Sequence, residues 1–261
     1  MSEEYIHAEI ESADKAIFEA FVRRMRAISA LKEGRGSNQD LLSADLAQDA
    51  ATIRRIVESA PDDVPAEAVA RLFRVVIGEC VAFQGVKSVR IAGGDNTSHV
   101  NAARGLFGYA TPLVQAADPR EALEAIAEEE GGIACLPWPE LPGAGQWWPM
   151  LNESRFKHMR ILAGWPNLPG HDASSLETAI IAPRTMAPSG KDHMLAIARD
   201  DLHHANRAFR DAEIEGEVVA RVRSLALIKI YSFMPENDSR LDVLRDNGLD
   251  GVRIVGVLPQ A

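Results

Sequence analysis

The sequence reads as an α plus α/β protein in three parts, and three observations predict this. From Tyr5 to Gly36 the chain runs for about eight helical turns with no proline, and with no glycine before Gly34. A middle stretch alternates short apolar runs with helical ones. The final stretch reads strand, helix, strand, strand, helix, strand. The expected units are residues 1–87, 88–170 and 171–261.

Along the first helix His7, Ile10, Asp14, Ile17, Phe21, Arg24, Ile28, Leu31 and Arg35 recur at alternating steps of three and four, the seam of a helix that packs along its length. That line is apolar except at His7, Asp14, Arg24 and Arg35. A guanidinium on a buried line is costly unless an anion or acceptor meets it. Arg24 therefore implies a partner, which we take to be a small carboxylate ligand. The alternative is a plain helical dimer in which Arg24 and Arg35 pair with Asp14 or Asp49 and Gln84 sets register.

After Gly34 the residues RGSNQDLLSAD end the long helix and cap the next, with Asp45 and Gln48 resembling a capping pair. A second helix is expected from Asp45 to about Ala60, stopped by PDDVP, and a third from Ala66 to about Gly85. On the third, Phe73, Ile77, Cys80 and Gln84 share a face, placing an amide on an apolar line. A helix of about 45 Å cannot cover its seam against two shorter partners, so a second copy of the chain is expected, giving an intertwined dimer.

The net charge of −10 carries no clustered Lys and Arg, which argues against nucleic acid or an anionic membrane as partner. Only Cys80 and Cys135 are present, far apart, which suits reduced thiols in a cytoplasm and offers no metal spacing. An acidic start and the lack of any run of about 18 apolar residues predict neither export nor membrane insertion.

In the middle, VRIAGG from Val89 reads as a strand, DNTSHVNAARGLFG and DPREALEAIAEEE as helices, and GGIACLPWP as a strand. Trp147 and Trp148 in the Pro-rich run that follows are expected to pack between units. The last part reads TAIIAP, DDLHHANRAFRDAEIEG, EVVARVRS, LALIKIYSFM, SRLDVLRDNG and GVRIVGVLP, a βαββαβ order of the split ferredoxin-like kind.

Four features together resemble the all-helical class of chorismate mutase: Ile10 and Asp14 in an I-x-x-x-D pattern, Arg24 ten residues later, the K-E-G-R run from Lys32 to Arg35, and RLFRVVIGECVAFQ from Arg71 to Gln84. The resemblance covers residues 5 to 86. It implies that Arg24 grips one substrate carboxylate, that Arg35 contacts the second carboxylate or the ether oxygen, and that Gln84 donates to that ether oxygen. It also implies that Asp45 and Asp49 touch the ring hydroxyl side. Three positions depart: His7 stands where an arginine reaches into the partner subunit's site, Gln48 where a further arginine is common, and Cys80 where serine is common. These eight residues are the candidate site, with chorismate as substrate and neither metal nor cofactor required. The departures leave a second expectation, a weak or inactive relative that serves as a regulatory or ligand-binding protein.

The run SVRIAGGDNTSHVNAARGLFG, and Ser154, Arg155 and Phe156 ahead of a strand, resemble a prephenate dehydratase domain. Only 60 residues separate Gly94 from Ser154, too few for a two-lobed domain, so a shortened segment without that activity is expected, with Ser154 and Arg155 structural. The last part resembles an ACT regulatory domain, which implies phenylalanine or a similar amino acid as a possible effector.

Overall fold

The computed structural model describes residues 2–35, 41–84, 86–94, 96–129, 131–140, 143–167 and 176–260, without the side chains of 32, 34, 35 and 41–45. Three helices come first: α1 (Glu3–Arg35), α2 (Leu41–Glu58) and α3 (Ala66–Gln84). Because α2 begins at Leu41, Asp45 lies inside it, and the expected Asp45–Gln48 cap is corrected. The middle follows as β1 (Val89–Ile91), α4 (Asn96–Phe107), β2 (Leu113–Gln115), α5 (Pro119–Glu128), β3 (Ile133–Pro137), two short 3₁₀ turns, β4 (Arg160–Trp165) and β5 (Thr178–Ala182). Asp118 caps α5 by accepting from the Glu121 amide at 2.9 Å. The chain ends with β6 (Asp192–Arg199), α6 (Ala205–Asp211), β7 (Gly216–Val222), β8 (Leu225–Ile230), α7 (Arg240–Asp246) and β9 (Asp250–Pro259).

All nine of these strands form one sheet, ordered β2-β1-β3-β5-β4-β9-β6-β8-β7. The first strand of the closing βαββαβ unit is β6, not TAIIAP. The latter is β5, which pairs antiparallel with β3 and β4. The order β9-β6-β8-β7, antiparallel throughout, is the split ferredoxin-like one. Helix α6 is shorter than its sequence suggests. Buried Asp200 accepts from the His204 amide at 2.6 Å and from Arg221 at 2.7 Å, fixing residues 200–204 as a turn.

Alternating strand residues send their side chains into different layers. On one face Ile133, Cys135, Leu162 and Ile180 pack with Ile53 of α2, Ile77 and Val81 of α3 and Phe107 of α4. Farther along that face Met194, Ala196 and Ile228 meet α6 and α7. The opposite face packs on Trp138, Trp147, Trp148 and Phe156, and this cluster runs from Leu136 and Ile181 to Leu195 and Leu227. The tryptophans thus cover both halves of the sheet. Arg155 pairs with Glu124 at 2.8 Å and Glu128 at 3.1 Å, tying its turn to α5.

Helices α2 and α3 therefore share a core with the sheet. Helix α3 lies so close to α4 that a Cβ on Gly78 would come within 2.8 Å of the Gly105 carbonyl oxygen. Helix α1 differs. Every residue from 3 to 20 is exposed, Ile17 at 56% and Phe18 at 66%, and only the part from Phe21 onward is partly covered.

Candidate active site

Where the second half of α1 crosses α2 and α3, a cavity of about 120 Å³ opens. It is lined by Arg24, Ile28 and Leu31 from α1, Gln48, Asp49 and Thr52 from α2, and Ile77, Cys80, Val81 and Gln84 from α3. Each set follows the helical repeat: 24, 28 and 31; 48, 49 and 52; 77, 80, 81 and 84. Apolar and polar side chains share the lining. Five of the eight candidate residues, Arg24, Gln48, Asp49, Cys80 and Gln84, thus share one wall system.

The others are placed differently. His7 is exposed, 3.8 Å from Glu3 one turn earlier, and about 25 Å along the helix axis from Arg24. Within one protomer it does not reach the cavity. The side chains of Arg35 and Asp45 lie outside the described residues.

Electrostatically the cavity is mixed. Nη1 of Arg24 is buried and has no hydrogen-bond partner among the described residues, so it is a cation with unspent donor capacity. Burial pushes the neighbouring Cys80 thiol above its ordinary range, while Arg24 pulls it down and Asp49 and Glu79 push it up. Its Sγ lies 3.5 Å from Met25 Sδ. A neutral thiol beside a guanidinium leaves the positive charge of Arg24 available to an incoming anion.

Two neighbours are absent from the sequence-based set. Thr52, four residues after Gln48, follows from the helical repeat. Arg74 lies one turn before Ile77 and is buried. Burial lowers its pKa to about 10 against the opposing pull of Asp49. Among the described residues no group of three or more His, Cys, Asp or Glu could hold a metal, and no helix is long and apolar enough to cross a membrane.

No curated protein matches the chain. Among solved structures it is similar to a prephenate dehydratase from Streptococcus mutans, at 15% identity and TM-score 0.46, over 67% of this chain and 100% of that one. The prephenate dehydratase of Staphylococcus aureus subsp. aureus Mu50 is similar at 11% identity and TM-score 0.43, over 66% and 99%. A structure described as GqqA, a novel type of quorum quenching acylases, is similar at 14% and 0.45, over 66% and 95%. The chorismate mutase type II family model matches residues 6–85, the three helices that build the cavity. The amino-terminal segment, residues 6–85, is therefore similar to the chorismate mutase type II family.

Proposed function

We propose that the chain is a dimeric cytoplasmic chorismate mutase that converts chorismate to prephenate in phenylalanine and tyrosine biosynthesis. The observation that carries this reading is the buried, unpartnered Nη1 of Arg24 in a cavity shared with Gln84, inside a segment similar to that family. The reaction is a unimolecular rearrangement and requires no nucleophile, metal or general base. It requires the diaxial conformer to be held and the ether oxygen to be stabilised as its bond breaks. In this reading Arg24 binds one carboxylate, Arg35 the other, and the Gln84 amide donates to the ether oxygen. Asp45, Gln48 and Asp49 border the ring hydroxyl, and Cys80 fills the wall. His7 enters from the partner subunit, whose first helix also covers the exposed Ile10, Ile17 and Phe18.

Loss of chorismate absorbance with purified chain tests the reading, with Arg24→Ala as control. Turnover that Arg24→Ala abolishes supports it. Absence of turnover refutes it. The placement of His7 beside Glu3 favours a second reading, a ligand-binding relative without catalysis, regulated through the ACT-like last part. A chain inert toward chorismate whose melting temperature rises with phenylalanine supports that second reading.

A further inference from the structure

A second cavity, of about 500 Å³, opens where the chain enters β4 and β6 and leaves β5 and β8. It shares no lining residue with the amino-terminal cavity. Its apolar lining includes Met194 and Met234, both fully buried, with half-buried Met186 and Phe233 beside them. Met186 packs both on the core beneath α6 and α7 and on the core beneath α2, α3 and α4, so the cavity lies at the join between the two helical layers. Three of the chain's seven methionines thus line one cavity. Their thioethers are flexible and polarisable and make favourable contacts with aromatic rings, so such a wall adapts to an apolar or aromatic body.

The charged part of the lining is opposite in sign to the chain as a whole. The net charge is −10, yet His158, Arg160 and Arg184 line this cavity against one carboxylate, that of Glu236. Arg160 is the anchoring group, its side chain 15% exposed. It donates from Nη1 to the Lys157 and Met159 carbonyl oxygens at 2.6 and 2.9 Å and from Nη2 to Glu236 at 2.9 Å. A guanidinium carries five N–H donors, so Nε and one position on Nη2 have no partner among the described residues. The carboxylate of Glu236 is 57% exposed, and an ion pair so open to water is held weakly and exchanges readily.

Arg253 of β9 donates to the same Lys157 carbonyl oxygen, and also to the oxygens of Leu151 and Asn152. Among the described residues no carboxylate lies within ion-pair distance of it. Burial, and after it the charge of Arg160, holds its guanidinium below the ordinary range, with Glu236 pulling the other way. Two neighbouring cations thus depend on a single exchangeable carboxylate.

We propose that this cavity binds a small arylalkyl monocarboxylate, its carboxylate on Arg160 where Glu236 now sits and its apolar body against Met186, Met194, Met234 and Phe233. Glu236 is then the chain's own stand-in for the ligand and gives way when the ligand enters. The site does not depend on the chorismate reading.

The test follows the methionine methyl signals of the full chain by NMR, assigned by single Met→Leu substitutions, with hydrocinnamate as the probe. Hydrocinnamamide keeps the body without the charge, and acetate keeps the charge without the body. With hydrocinnamate the signals of Met186, Met194 and Met234 should shift and saturate, while that of Met25, beside Cys80 in the amino-terminal cavity, should stay in place. The amide and acetate should each bind at least about tenfold more weakly, as should the acid to Arg160→Gln. Glu236→Gln should bind hydrocinnamate about threefold tighter or more, because the competing carboxylate is gone. Glu236 is exposed, so this variant folds even where Arg160→Gln does not. Shifts at Met25 without shifts at the three cavity methionines overturn the proposal, as does no shift at all. Equal binding of the amide, or a Glu236→Gln chain that binds no tighter than the wild type, overturns it as well.

Discussion

Arg54 of α2 donates from Nη2 to the main-chain oxygen of Ser189 at 2.6 Å, 135 residues further along the chain, and from Nη1 to that of Gln260. The guanidinium thus clamps the approach to β6 and the end of β9 onto the back of the helix whose front carries Gln48, Asp49 and Thr52. Hydrogen bonds from a charged donor to carbonyls contribute about 2 kcal/mol. For Arg54→Met we expect a melting temperature lower by about 4–8 °C. An unchanged melting temperature would show that the clamp holds nothing.

The contact between α3 and α4 makes a sharper case. Gly108 has φ +77°, and a Cβ there would lie 2.7 Å from the Gly78 oxygen and 2.8 Å from Ala82 Cβ. Backbone strain and overlap combine, so Gly108→Ala should cost about 2–4 kcal/mol in denaturant unfolding. A loss below half a kcal/mol would mean the helices separate freely, contrary to their backbone contact.

Arg24 should show a trade of stability against activity. Its buried Nη1 has no partner among the described residues, so replacing the side chain removes an unsatisfied donor. Arg24→Met is expected to melt at or above the wild-type temperature while turnover of chorismate falls about 100-fold or more. A variant that is destabilised in proportion to its lost turnover would make Arg24 a structural residue.

His193 supplies a pH dependence. Its pKa lies below the ordinary 6.5, chiefly through burial and secondarily through Lys229, with Asp192 and Glu217 pulling the other way. Tyr231 faces it edge-on at 5.0 Å. Since the folded-state pKa is depressed, the unfolded chain takes up the proton first. The contribution is whole above pH 6.5 and is lost as pH falls from there through the lowered value. The urea midpoint of the wild type should therefore drop relative to His193→Gln between neutral pH and about pH 5. Parallel curves for the two chains would contradict this.

The exposed half of α1 gives a prediction about assembly. Ile10, Ile17 and Phe18 are apolar and uncovered, and a second copy is the expected cover. Sedimentation should give twice the chain mass for the wild type and the single chain mass for Ile17→Asp/Phe18→Asp. A monomeric wild type at micromolar concentration would leave His7 without a site to enter.

The helical segment was legible because α1 and α3 repeat apolar residues for many turns, and the signal accumulates with length. The start of α2 was not, since Leu41 and Leu42 continue into Asp45 with no distinct stop between them. Strand β2 is three residues long, too short for any period. Strand β6 was missed because Met194–Ala198 is rich in alanine, a weak strand former, and is buried on both faces, so it shows no alternation. TAIIAP, richer in β-branched residues, took its place. At the site, spacing alone marked Arg24 and Gln84 as polar residues on apolar lines. Spacing also put Cys80 on the face of Gln84, whereas the joining of Gln48 to them depends on how three helices face one another, which only the family resemblance suggested. Arg74, one turn after Arg71, looks like part of a solvated face, although it falls on one line with Ala70, Ile77 and Val81.

Strand β9 pairs with β4 at Ile161 and Gly256 and with β6 along most of its length, so it is the seam between the two halves of the sheet. It also comes later in the chain than the other eight described strands. Without it, β4 and β6 are open borders, Arg54 lacks Gln260, and Asn167 lacks Pro259. The inner surface of α2 is therefore fixed only once β9 is in place. Shortening the chain by a single strand would cost the amino-terminal site its support.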